Sequence, residues 1–193
     1  MDIEMLRPVK LTINWSGNHD TLDAVDQSSA IASQFNCPGV YVHLSKDSSG
    51  NPICRYLGKH TSSLSGRQFE HFTNMFDGKY NLYGKSGKLI FKAGDGNPSI
   101  DDLDEYLSIT SIYFGTIDKY PSFPVDSWVA CIESLLMRSQ KWSSYSGTIL
   151  NYRLEPPRYQ MFSEFEIIHS NNSDMQSLFG SSTKWDKKTK SIF

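Results

Sequence analysis

The stretch PGVYVHLSKDSSGNPICRYLGKHTSSLSGRQFEHF, residues 38–72, decides the fold of this chain, because two strand-like runs, a turn and a helix follow one another in it. The runs at 39–44 and 53–58 are rich in β-branched and aromatic residues, as strands are. Between them, residues 48–51 (SSGN) have turn chemistry. The sequence therefore predicts an antiparallel hairpin.

A helix is predicted next, at Leu64–Phe76, from its helical spacing of apolar residues. Arg67 and His71 are four positions apart, so they share one stripe of this helix. We expect that stripe to lie roughly opposite the apolar side. The apolar side is formed by Phe69, Phe72, Met75 and Phe76.

The order of these motifs resembles the GIY-YIG nuclease superfamily. Gly39-Val40-Tyr41 and Tyr56-Leu57-Gly58 correspond to the two triplets that name it, and Arg67 with His71 follows on the next helix. The resemblance is specific across 38–72 and continues across 110–151 through Glu133 and Asn151. It implies a catalytic set of Tyr41, Tyr56, Arg67, His71, Glu133 and Asn151, with Glu133 as the metal ligand and Lys59 adding positive potential at the DNA. His60, which follows Lys59, is a candidate DNA contact by position, with a surface loop histidine as its ordinary alternative.

Phosphodiester hydrolysis gives each of these residue types a role. It needs an activated water, a cation at the nonbridging oxygens and help for the leaving oxygen. Arg67 supplies a planar fork for phosphate, and Glu133 is a hard oxygen ligand for one Mg²⁺ or Mn²⁺ per active site. Tyr41 is expected to act as general base once the metal and Arg67 lower its pKa. Tyr56 then hydrogen-bonds the water or the phosphate.

Every one of these side chains also has an ordinary structural interpretation. Tyrosines in strands usually pack half-buried, and an arginine and a histidine on a helix commonly form a solvated face. Glu133 could pair with Arg138 or face solvent. The conjunction of all of them in one order favours the nuclease interpretation.

The rest of the chain predicts an α/β (α+β) protein, in which a small mixed β-sheet is flanked by helices. Residues 1–37 form an N-terminal extension, 38–152 the core with an insertion at 77–109, and 153–193 a C-terminal extension. The predicted elements outside the opening stretch are strands at 9–15, 88–92, 110–117 and 164–169, and helices at 21–35, 99–107 and 125–139. The lysine-rich end is interpreted as a solvated terminus.

Composition limits the protein class. The 193 residues are 38% hydrophobic and 21% charged, as in ordinary globular proteins. A formal net charge of −2 argues against a nonspecific nucleic-acid coat. The three cysteines form no CxxC pair, which indicates free thiols rather than a zinc site. No signal peptide or membrane span is visible, so a cytoplasmic protein is expected.

The expected function is metal-dependent cleavage of double-stranded DNA by a site-specific, type II restriction-type endonuclease. The insertion and the C-terminal extension are the segments available to read base edges. Cutting both strands requires two active sites, hence a dimer or tetramer. The alternatives are a structure-selective repair or recombination nuclease, and a noncatalytic nucleic-acid-binding module on the same scaffold.

Overall fold

The computed structural model describes residues 7–26, 28–85, 87–121, 124–141, 156–170 and 172–193. These residues form nine strands and six α-helices. The strands are β1 (Val9–His19), β2 (Gly39–Lys46), β3 (Pro52–His60), β4 (Leu82–Tyr83), β5 (Leu89–Phe91), β6 (Ser111–Thr116), β7 (Glu164–Ser170), β8 (Ser182–Asp186) and β9 (Ser191–Ile192). The helices are α1 (Thr21–Val25), α2 (Ala30–Gln34), α3 (Leu64–Phe76), α4 (Ile100–Ser108), α5 (Val125–Lys141) and α6 (Ser173–Phe179).

Seven strands form one mixed sheet in the order β3-β2-β6-β1-β7-β8-β9. All neighbours are antiparallel except β1 and β7, which run parallel. The expected α+β architecture with a mixed sheet is confirmed. The sheet extends well beyond the central hairpin, because β1 comes from the first 37 residues and β7 to β9 come from residues after 153.

The two faces of the sheet carry separate cores, because alternate residues of a strand point to opposite faces. On one face, Val40, Val42 and Leu44 of β2 belong to the main core, together with α5 residues such as Ile132. On the other face, Tyr41 belongs to a smaller core. The smaller core also contains Ala24, Phe35, Leu64, Ile112 and Phe114.

The hairpin and the helix at 64–76 form as predicted. β2 and β3 pair antiparallel, with a bulge after His43. Ser63 begins α3, because its side chain accepts a hydrogen bond from the backbone N–H of Gly66. The helix therefore starts directly after the hairpin and lies over the Tyr41 face.

The predicted apolar side of α3 is wrong in part: Met75 is buried and Phe72 packs beside it, but Phe69 and Phe76 are not buried. Phe69 is 52% and Phe76 is 45% exposed, whereas His71 is buried. The buried stripe contains two polar residues, Gln68 and His71, because both find hydrogen-bond partners on β2. The stripe consists of Leu64, Gln68, His71 and Met75, together with Ser65.

Two further predictions are corrected. The helix expected at 21–35 is split into α1 and α2, because the Ser29 side chain caps a new helix through the N–H of Ala32. At the lysine-rich end, Lys187, Lys188 and Lys190 are exposed as expected, but the segment is more than a terminal tail. It contains β8, which pairs with β7, and β9, which pairs with β8.

The segment 77–109 forms a small unit of its own beside the hairpin. β4 and β5 pair in a separate two-stranded sheet, which includes the strand predicted near 88–92. The predicted helix after Ser99 is confirmed as α4, and it begins with a capping box between Ser99 and Asp102. Leu82, Leu103 and Tyr106 pack with Met75 of α3, which attaches the segment to the core.

Helix α5 follows the prediction most closely. Its buried residues include Trp128, Val129, Ile132, Leu135 and Leu136. The three cysteines are free, as expected. In the described parts of the chain, no helix is long and apolar enough to cross a membrane.

Candidate active site

Two tyrosines face each other at the centre of the hairpin. Tyr41 lies opposite Gly58 in the register of β2 and β3, and Tyr56 lies opposite His43. The tyrosine rings stack with centroids 5.7 Å apart and planes inclined by 13°. A Cβ at Gly58 would lie 2.5 Å from the Tyr41 hydroxyl oxygen. Glycine at this position therefore lets the Tyr41 ring cross the partner strand.

Helix α3 brings His71 onto the two tyrosines. The Tyr41 hydroxyl lies 2.8 Å from Nε2 of His71. The His71 ring also meets the Tyr56 ring edge-on, with centroids 4.5 Å apart. Burial, His43 and Arg67 together lower the pKa of His71 to about 2. His71 is therefore neutral, and a hydrogen bond joins its Nε2 to the Tyr41 hydroxyl; in the tautomer that carries its proton on Nδ1, Nε2 accepts this bond.

Tyr41 departs from the expected base chemistry. Burial is the main reason that its pKa lies well above the ordinary value; Tyr56 also raises the pKa, and Arg67 only partly opposes the shift. The expectation that Arg67 lowers the pKa of Tyr41 is right in sign but outweighed in this structure. Burial also raises the pKa of Tyr56, whose side chain is less buried than that of Tyr41.

Arg67 lies on the solvent side of this cluster. Its guanidinium donates to a Glu70 oxygen at 2.6 Å and lies within hydrogen-bonding reach of the Tyr41 hydroxyl. Partial burial disfavours its charge, but Glu70 and the two tyrosines hold its pKa above the ordinary value. A cation of fixed orientation therefore borders the phenol oxygens.

Glu133 reaches the cluster from α5, on the opposite side of the sheet. It is 6% exposed and forms an ion pair with Lys59 at the end of β3. Its negative charge contributes to the raised pKa of Tyr56, which places the carboxylate within electrostatic range of that phenol. Lys59 thus joins the hairpin to α5, and Glu133 is buried rather than facing solvent, which is one of its two ordinary interpretations.

The residues present are compatible with one Mg²⁺ or Mn²⁺. Such an ion is commonly held by one or two carboxylates, with water and substrate phosphate completing its shell. Glu133 is a carboxylate of this kind, paired with Lys59 and within electrostatic range of the Tyr56 phenol. Across the described ranges, no cluster of three or more His, Cys, Asp or Glu side chains is placed to hold a metal by itself.

The remaining predicted residues are less informative. His60 lies at the end of β3, where its Nδ1 accepts a hydrogen bond from the backbone N–H of Ser63 at 2.9 Å. This contact orients the turn that leads into α3. Asn151 lies outside the described residues.

Three residues around His71 were not predicted to belong to the site. His43 lies under the cluster, and its Nε2 is 2.7 Å from Oε1 of Gln68. Tyr80, from the 77–109 segment, stacks on the His71 ring with centroids 5.0 Å apart. His43 lies two positions after Tyr41 on the same strand face, which is a signal the sequence did contain. Tyr80 comes from a segment whose position no local pattern indicates.

Comparisons with known proteins do not identify a relative: no family model, no curated protein and no solved structure matches this chain.

Proposed function

We propose that this protein is a metal-dependent DNA endonuclease with GIY-YIG-like chemistry. The observation that carries the proposal is the convergence of Tyr41, Tyr56, Arg67 and His71 at one point, with the Glu133–Lys59 pair beside it. These residues come from β2, β3, α3 and α5. If these side chains had only a structural role, two phenols, two cations and one carboxylate would not need to lie together in this way.

In the proposed reaction, Arg67 and Lys59 bind the nonbridging oxygens of the scissile phosphate. Glu133 would hold the divalent ion, which supplies Lewis-acid stabilisation of the phosphate and a water of lowered pKa. Tyr56 is the phenol closer to Glu133 and the more accessible of the two, so we assign it the contact with the attacking water.

The neutral His71 gives Tyr41 a route for its proton. When His71 carries its proton on Nδ1, the Tyr41 hydroxyl donates to Nε2, so the Tyr41 oxygen can accept a proton from the direction of Tyr56 while its own proton moves to His71. A bound phosphate would offset the charge of Arg67, which is one of the causes that lower the pKa of His71. Substrate binding therefore makes His71 a better base.

Within this reaction class, we propose a site-specific, restriction-type enzyme that acts on double-stranded DNA as a dimer or tetramer. Support comes from the 77–109 segment, which contacts the site through Tyr80 and has surface left to meet base edges. Each chain carries one such cluster, so a double-strand cut would use two chains.

The test is incubation of supercoiled and linear DNA with Mg²⁺, with Mn²⁺ and with a chelator, followed by mapping of the fragment ends. We expect discrete fragments that require the metal. Cleavage restricted to flaps, forks or branches would favour a structure-selective nuclease. Binding of DNA without cleavage under any of these conditions would favour the noncatalytic module.

Glu133→Gln is the decisive variant, because it keeps the size of the side chain and removes its charge. We expect cleavage to fall below detection while DNA binding and folding persist. Asp126→Asn, an exposed carboxylate change on the same helix, is the matched control and should retain wild-type activity. Full activity of Glu133→Gln would remove Glu133 as the metal ligand.

A further inference from the structure

A polar cavity lies at the far end of β2, away from the Tyr41 and Tyr56 cluster. It has a volume of about 380 Å³ and is formed where the ends of β1, β2 and β6 meet the 77–109 segment, which contributes Lys85 and the end of α4. The polar side chains that line it are Asn18, Ser45, Lys46, Lys85, Ser108 and Ser111. In the described part of its wall there are two lysines and no carboxylate.

A third cation stands behind this wall. Arg55 of β3 is 2% exposed, and its Nε donates to the Ser45 hydroxyl oxygen at 2.6 Å. Its Nη2 lies 3.5 Å from the carbonyl oxygen of Gly84, next to Lys85. Its Nη1 is buried without a hydrogen-bond partner, and Arg55 makes no ion pair with any described residue. A buried guanidinium without a counterion is costly, which indicates that an anion belongs nearby.

The nearest carboxylates do not neutralise this region. Asp174 pairs with Lys46 at 3.3 Å and also accepts the Tyr113 hydroxyl at 2.6 Å. Glu105 accepts the backbone N–H of Lys85 at 3.0 Å. Counting both carboxylates against Lys46, Lys85 and Arg55 still leaves one positive charge.

Ser45 connects the buried charge to the cavity. Its oxygen already accepts from Arg55, so its own O–H remains to donate to a ligand. A hydrogen bond from a cation polarises the hydroxyl and makes it a stronger donor. Lys85, Ser45 and the neighbouring hydroxyls together present the donors that a phosphate group needs.

We propose that this cavity binds a phosphate group of the DNA backbone, and the proposal rests on the proposed nuclease function for the choice of DNA. Tyr41 and Lys46 are five positions apart on β2, or about 17 Å at the usual rise of a strand. That length equals the rise of about five base pairs of B-DNA. The cavity would anchor the duplex at a distance from the scissile phosphate, and the 77–109 segment would supply part of the anchor.

The first test is titration of the protein with inorganic phosphate, in which binding is monitored through the backbone amide signals in NMR spectra. We expect saturable shifts at Ser45, Lys85 and Ser111 that are absent in Lys85→Gln and retained in Lys92→Gln. Lys92 belongs to the same segment but does not line the cavity, so it controls for the loss of one charge. No response of the cavity amides to phosphate would overturn the proposal.

The second test measures duplex binding by fluorescence anisotropy in a chelator, so that no cleavage occurs. Loss of one phosphate contact should reduce the slope of log K against log salt by about 0.9, which makes the affinity loss between 50 and 200 mM salt about 3.5-fold smaller. We expect this change in Lys85→Gln and a smaller one in Lys92→Gln. If the two variants had equal salt slopes while inorganic phosphate still bound to the wild-type cavity, the DNA assignment would be overturned. The cavity would then be a site for free phosphate.

The two proposals fail separately. Absence of metal-dependent cleavage, with normal phosphate and duplex responses at the cavity, would contradict the nuclease proposal alone. Normal cleavage with no response of the cavity to phosphate would contradict the cavity proposal alone.

Discussion

Three buried histidines should make the fold sensitive to mild acid. Burial lowers the pKa of His43 and His169 to about 4 and, with the charges of His43 and Arg67, that of His71 to about 2. The same side chains titrate near 6.5 in an unfolded chain. Below about pH 6.5 the unfolded state therefore binds protons that the folded state does not. Stability is fully present above that pH and is lost as the pH falls toward the folded-state pKa values.

The size of the effect follows from the number of protons. Each histidine contributes up to about 1.4 kcal/mol per pH unit, so three give a limiting slope of about 4 kcal/mol per unit. His169 alone, with a pKa lowered from 6.5 to about 4, would cost about 3 kcal/mol at low pH. By pH 4 the three histidines together would cost about 9 kcal/mol. Domains of this kind have about 5–15 kcal/mol in total, so we expect unfolding near pH 4.

The assay is denaturant unfolding at several pH values between 7.5 and 5. His169 is suited to the test because it lies outside the candidate site, where its Nδ1 accepts from Trp15 at 3.1 Å and its Nε2 contacts Thr183 at 2.9 Å. His169→Gln should reduce the slope by about 1.4 kcal/mol per pH unit, one proton's share. Thr183→Val, which breaks the same contact but keeps the histidine, should lower stability without changing the slope. A wild-type slope in His169→Gln would refute the reasoning.

Three other predictions concern the candidate site. Gly58→Ala places a Cβ 2.5 Å from the Tyr41 hydroxyl oxygen, so we expect a loss of about 1–3 kcal/mol of stability and of most cleavage activity. Calorimetry would measure the stability and a plasmid assay the cleavage. A wild-type Tm would show that the Tyr41 ring moves aside freely. Arg67→Lys keeps the charge but loses the planar fork, so single-turnover cleavage should slow by about 10²–10³-fold with little change in stability; an unchanged rate would remove the phosphate-clamp role. Tyr80→Leu exposes one face of the His71 ring, so the pKa of His71 should rise until NMR titration detects protonation of the ring while the protein is still folded. A His71 ring that stays neutral down to the pH of unfolding, as in the wild type, would show that Tyr80 does not exclude water.

The sequence predicts the local part of the site and misses the nonlocal part. The hairpin and α3 follow from turn residues and periodicity within 38–76, and their contacts are short in sequence. The buried side of α3 was predicted wrongly because Gln68 and His71 are polar. Their burial depends on partners on β2 that only the tertiary structure provides. Polar stripes of this kind carry no hydrophobic signal.

The link between Glu133 and Lys59 spans 74 positions, and no periodic pattern could predict it. The resemblance supplied Glu133 as a candidate, but its ion-pair partner came from the packing of α5 against the hairpin. The order of the sheet is nonlocal in the same way. A strand at 9–15 is visible in the sequence, but its position between β6 and β7 is not.

The parallel pairing of β1 with β7 has a consequence for synthesis of the chain. Ile13 lies beside His169, 156 positions later, so this edge of β1 stays unpaired until β7, Glu164–Ser170, has left the ribosome. At about 5–20 residues per second, that interval lasts on the order of ten to thirty seconds. During it the open edge can pair with other chains. Truncation before residue 164 would make this exposure permanent, and we expect such fragments to aggregate rather than to persist as smaller folded units.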